Sequence, residues 1–198
     1  MKVFLPFLLI SMLISCRVSD KDAKEFATSR PDTLKTELMV EGMPESMNMY
    51  LLESPENFPI HFSTYIPVEM IIDTASFETG KAIHIIAAFG GRINKDARLT
   101  IFAFSPEINE EEARKITRQA GGNPVDSTGF SWAEAVYNLG EGRSGFLALG
   151  ENEGQWFYLL ATYPPVYADG MGPRIAMILD QWRWAENGKS LQRKATRE

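Results

Sequence analysis

Ala82-Ile83-His84-Ile85-Ile86-Ala87-Ala88-Phe89 carries the strongest strand signal of the chain. Three isoleucines, three alanines and a phenylalanine surround one histidine, with no charge among them. A run this short and this apolar fits a strand buried on both faces. Gly90-Gly91 ends it, and Arg98 to Ser105 follows across a short polar loop as its antiparallel neighbour. These two segments are expected to form the centre of a sheet.

Working outward, the next segment reads as a helix. Asn109 can cap it, Glu112 completes a capping box, and Ile108 and Ala113 take the staple positions. Ala113, Ile116 and Ala120 form the expected apolar stripe, with Glu110–Arg114 and Glu111–Lys115 as i,i+4 pairs outside. Gly121-Gly122 stops it. The cluster Glu110-Glu111-Glu112 suits a helix N-terminus, and consecutive residues point around a helix rather than converging on a metal.

Upstream, Leu34, Thr36, Leu38 and Val40 alternate with polar neighbours, Glu41-Gly42-Met43-Pro44-Glu45 signals a turn, and Met47, Met49 and Leu51 alternate again. That is a hairpin. His61 to Ile66 is a third strand running into Pro67. Downstream, strands are expected over Ala133–Leu139, Gly145–Gly150 and Gln155–Tyr163, the last two joined by Glu151-Asn152-Glu153-Gly154. Pro164-Pro165 ends the sheet. A closing helix runs from Asp169 or Gly172 to Trp184, with Pro173 near its first turn, a stripe of Met171, Ile175, Ile178 and Trp182, and Asn187-Gly188 as its stop. Hairpin succession makes the fold class α+β: a largely antiparallel β-sheet of about 6–8 strands with helices packed on it.

The chain opens differently. Met1-Lys2 is a short positive region, and Val3 to Ile14 is almost wholly apolar. A membrane helix needs about 20 such residues, so the run is too short to span and matches a secretory signal. The only cysteine, Cys16, follows directly. Leu13-Ile14-Ser15-Cys16 resembles the lipobox of bacterial lipoproteins. The resemblance implies cleavage before Cys16 and lipidation of its thiol, whose thiolate is a strong nucleophile. It implies a cell-envelope location, and Arg17, in place of an inner-membrane retention aspartate, weighs toward the outer membrane. The organisation expected is a lipoprotein signal peptide over 1–15, lipidated cysteine and polar tether over 16–33, one globular domain over 34–186 and a polar tail over 187–198.

The domain's order of elements is similar to the Mog1/PsbP-like α/β/α sandwich. The features that carry the likeness are the hairpin at Glu41-Gly42-Met43, the strand His61–Ile66 entering Pro67, and the final strand, Pro-Pro and helix. That resemblance implies a protein-binding or assembly role, although a fold alone does not carry function.

The chain has 198 residues and a formal net charge of −6, a balance that argues against a nucleic-acid partner and against a polybasic membrane patch. A single cysteine permits no intrachain disulfide. His61 and His84 are the only histidines and lack zinc-ligand spacing, so no metal and no cofactor is expected. Gly142-Arg143-Ser144-Gly145 lacks the spacing of a hydrolase elbow and reads as a turn. Of the tryptophans, Trp184 is the one expected to be exposed. The unusual segment is Tyr163 to Arg174, where prolines and glycines surround a helix start. Tyr163, Tyr167 and Arg174 are expected to form a recognition lip for a carboxylate-bearing partner. The expected function is a non-enzymatic, membrane-anchored protein-binding or assembly module of the envelope. The alternative is a small-ligand-binding or enzymatic domain with a pocket between the sheet and the C-terminal helix.

Overall fold

The computed structural model describes residues 30–40, 42–125, 130–140 and 142–191. The expected signal segment, Cys16, most of the expected tether and residues 192–198 lie outside the described residues. Among those described, the strands are β1 (Thr33–Val40), β2 (Met43–Glu53), β3 (Phe62–Pro67), β4 (Met70–Phe77), β5 (Gly80–Ala87), β6 (Asn94–Phe104), β7 (Pro124–Val125), β8 (Ala133–Tyr137), β9 (Ser144–Asn152), β10 (Gln155–Tyr163) and β11 (Arg183–Trp184). The helices are α1 (Glu110–Gly121) and α2 (Ala168–Asp180). The fold is α+β and its strand pairs are antiparallel.

The strands divide between two sheets. The larger has seven strands in the order β4-β5-β6-β10-β9-β8-β7, and the smaller has four in the order β1-β2-β3-β11. The Ala82–Phe89 run supplies β5, which pairs with β6 as expected, Ile83 opposite Ile101 and Ile85 opposite Leu99. β10 then closes on the far side of β6, with Leu159 opposite Ile101. The turn between β9 and β10 narrows to Glu153-Gly154, both at positive φ, which is the conformation that suits the twist of a two-residue hairpin.

Each face of the larger sheet is covered. On one face Ile83, Ile85, Leu99, Ile101 and Leu159 meet Ile175, Ile178 and Leu179 of α2, together with Leu52, Phe62 and Ile66 of the smaller sheet. Trp182 stacks on Phe62 with ring centroids 3.9 Å apart. On the other face Phe102, Phe104, Leu147 and Leu149 pack with Ala113 of α1. A third cluster, Leu38, Met47, Met49 and Tyr65 with Met177, joins the smaller sheet to α2.

Four expectations meet corrections. The buried face of α1 is Ala113, Thr117 and Gly121, whereas Ala120 is exposed. Thr117 tolerates burial because its hydroxyl donates to the Ala113 carbonyl at 2.7 Å. Gly121 is required there, since a Cβ would strike the Leu147 side chain. α2 stops at Asp180, and Arg183-Trp184 turn into β11 against Ser63 and Phe62. Asn187-Gly188 instead bend the chain back, so that the Trp184 N–H reaches the Lys189 carbonyl at 2.9 Å. Pro173 lies inside α2, not in its first turn. Leu191, expected in the polar tail, is instead buried in the main core.

Candidate functional site

β10 delivers the chain to the expected lip. After Tyr163 come Pro164 and a single turn of 3-10 helix over Pro165–Tyr167, and α2 begins at Ala168. Tyr163 is half-buried and burial raises its phenol pKa, so the hydroxyl keeps its proton at neutral pH. Tyr167 is half-buried and stacks on Phe89 at 6.2 Å. Val166, between them in the sequence, is 88% exposed.

Arg174 is brought to the same place but with a different task. It is only 6% exposed. Its guanidinium pairs with Glu69, donates to the Gly170 carbonyl at 2.9 Å, sits 3.6 Å from Glu45 and lies over Phe89 at 4.6 Å. Its donors are therefore engaged within the chain. The structure corrects the expectation of an open charged donor: Arg174 clamps α2 to β2 and to the turn before β4. Tyr163 and Tyr167 remain on the surface of that end.

The lip lies far from Arg30, where the described residues begin. Arg30 donates to the Ser63 hydroxyl at 2.7 Å and to the Gln181 carbonyl at 2.9 Å, and covers the Tyr65 ring at 4.5 Å. Tyr65 donates in turn to the Pro31 carbonyl at 2.7 Å. Ser63 pairs with β11, and Trp184 of β11 rests edge-on against Phe157 at 5.4 Å. Phe157 is near the start of β10 and Tyr163 is its last residue. At about 3.3 Å per residue, roughly 20 Å of strand separates the two ends.

Two cavities mark these two ends. The one at the entry end is about 710 Å³ and is lined by Trp132, Phe157, Trp184, Glu134, Glu151 and Lys189 among others. Trp132 stacks on Phe157 at 5.7 Å and seats against Gly150, where any Cβ would press on its ring. The Trp132 indole N–H is buried with no acceptor among the described residues. Trp184 is 7% exposed, which corrects the expectation that it faces solvent; pairing of β11 with β3 turns it inward. The second cavity, about 370 Å³, lies beside the lip and includes Arg98, Arg143, Asp96, Thr162 and Tyr163.

The remaining candidates are separate. His84 Nδ1 lies 2.9 Å from the Thr100 hydroxyl, and burial, then the Arg98 charge, lower its pKa against the opposing pull of Asp73. His61 is exposed at the mouth of β3. Gly142 takes a left-handed turn conformation and Ser144 opens β9. Among the described residues no group of three or more His, Cys, Asp or Glu side chains is placed to hold a metal ion, and no helix is long and apolar enough to cross a membrane. The 710 Å³ cavity was not legible in the sequence as a site, because its walls come from β8, β9, β10, β11 and the segment ending at Leu191.

The fold and cavities define an α+β domain of two antiparallel sheets with open cavities at both ends of β10. Comparison with protein-family models, curated proteins and solved structures finds no match to this chain.

Proposed function

We propose that this protein is a lipid-anchored bacterial envelope lipoprotein whose domain is a non-enzymatic protein-binding or assembly module. The carrying observation is Leu13-Ile14-Ser15-Cys16, and Arg30, where the described residues begin, is bonded into the domain. Thirteen residues lie between Cys16 and Arg30, a reach of at most about 50 Å fully extended. The anchor would then hold the Arg30 end toward the bilayer and leave the lip end outward. Apolar residues support a contact surface there: Met43 at the tip of the first hairpin, Val68, Ile93 and Val166 are all exposed. The Mog1/PsbP-like resemblance adds the expectation of a protein partner.

Two experiments test the reading. Metabolic labelling with a fatty-acid probe should mark the wild-type chain and not Cys16→Ala; an unlabelled wild type refutes the anchor. Crosslinking in intact cells followed by mass spectrometry should return one reproducible partner, with crosslinks at the lip end. A second reading, small-ligand binding, is favoured by the 710 Å³ cavity and the unpaired Trp132 N–H within its wall. Native mass spectrometry of the purified full chain separates the two: a co-purifying small molecule, lost in Trp132→Phe, supports the cavity reading.

A further inference from the structure

We propose that the cleft beside the lip binds a phosphate group, held between Arg98 and Arg143. The sheet register brings the two arginines to the same two residues of β10. Arg98 on β6 lies opposite Thr162. On the other side of β10, Gly145 lies opposite Thr162 and Ser144 opposite Tyr163, so Arg143 stands immediately beyond. Adjacent strands are about 4.8 Å apart, which places both long side chains within reach of one small ligand. They line one cavity of about 370 Å³, with Tyr163 and Thr162 between them.

Neither arginine has a carboxylate within ion-pair distance among the described residues; the salt bridges there belong to Arg114 and Arg174. The Arg98 Nε is buried and has no acceptor within the described chain. Its charge is felt nearby, lowering the pKa of His84 and opposing the rise of Tyr158. Among the described residues Asp96 is the one acidic group lining the cleft, and it is exposed to water while Arg98 is half-buried. Among the described residues, two cations against one screened anion make this a positive site on a chain of net charge −6. Paired guanidiniums match the two charges and the oxygen spacing of a phosphate monoester.

The test uses the full chain in neutral detergent micelles, with the melting temperature followed by circular dichroism. The probes are glycerol phosphate in solution and phosphatidic acid in the micelle, with sodium chloride at equal ionic strength as the control. A saturable rise in melting temperature beyond the chloride control is expected. Arg98→Gln and Arg143→Gln should each move its midpoint to about tenfold higher ligand, while Arg118→Gln on α1 should not. A response to glycerol phosphate assigns a soluble ester; a response to phosphatidic acid alone assigns a lipid headgroup. No rise with either probe overturns the proposal, as does a response unchanged in Arg143→Gln. Arg143 is exposed, so that variant keeps its fold whatever Arg98→Gln does. The outcome does not depend on whether Cys16 is acylated.

Discussion

Arg174 shows how one side chain can tie three parts of a chain together. Its guanidinium is buried, and Glu69, Glu45, Gly170 and the Phe89 ring surround it. Removing one member of a buried pair strands the other. Glu69 is half-exposed, however, and can recover some hydration, so Arg174→Met should cost about 2 kcal/mol, below the range for a fully buried pair. Urea denaturation measures it, and Glu69→Gln should cost less. Gly145 has φ near 122° and a Cβ there would run into the Ala161 carbonyl. Gly145→Ala should therefore destabilise by more than the ~1 kcal/mol of an ordinary glycine replacement, read as a lower urea midpoint with unchanged slope. His84 gives a pH signature. Burial first, and then Arg98, hold its folded pKa below the unfolded 6.5, so the folded state favours neutral imidazole. Its contribution is complete above pH 6.5 and is lost as pH falls through the lower folded value. His84→Gln should flatten that acid-side decline in a series of denaturation curves.

At the scale of elements, local signals were the legible ones. α1 was readable because its cap and charges lie within one helix: Asn109 accepts from the Glu112 N–H at 3.0 Å, and Glu110 meets Arg114 at 2.8 Å. Asn109→Ala should lower stability by about 1 kcal/mol, measurable by thermal or urea melts. β4 was not read as a strand. It is the edge of the larger sheet, and its side chains after Met70 are mostly exposed, so Ile71, Ile72 and Phe77 show no alternation. β11 was hidden differently: Trp182 and Trp184 continue an apolar pattern, while the turn that breaks α2 depends on β3 being there to pair with. The clamp at Arg174 was illegible for a related reason, since its partner Glu69 is 105 residues away in the chain. The tyrosines Tyr163 and Tyr167 stand out because they cluster in sequence, whereas the cavities are assembled by register between distant strands.

For the molecule as a whole, the division into two sheets was also out of reach of the sequence. Hairpin order is the same whether β3 continues one sheet or closes a smaller one, and only the packing of α2 against both resolves it. The same packing sets where the domain ends. Leu191 is buried among the main core residues and Lys189 accepts from Trp184, so the fold extends past the glycine at 188. A chain ending at Glu186 should melt at a lower temperature than one ending at Leu191, as followed by circular dichroism.

The grip of Arg30 bears on how the domain responds to force. β1 starts at Thr33, beside that grip, and runs to Val40 at the far hairpin tip, paired with β2 along its whole length. Ladder hydrogen bonds lie across the strands. A pull on the chain before Arg30, opposed by a hold at the far end, loads those bonds together in shear, not one at a time as in unzipping. The first strand is thereby a mechanical fuse set in its stronger direction, and Arg30 takes up the strain before it.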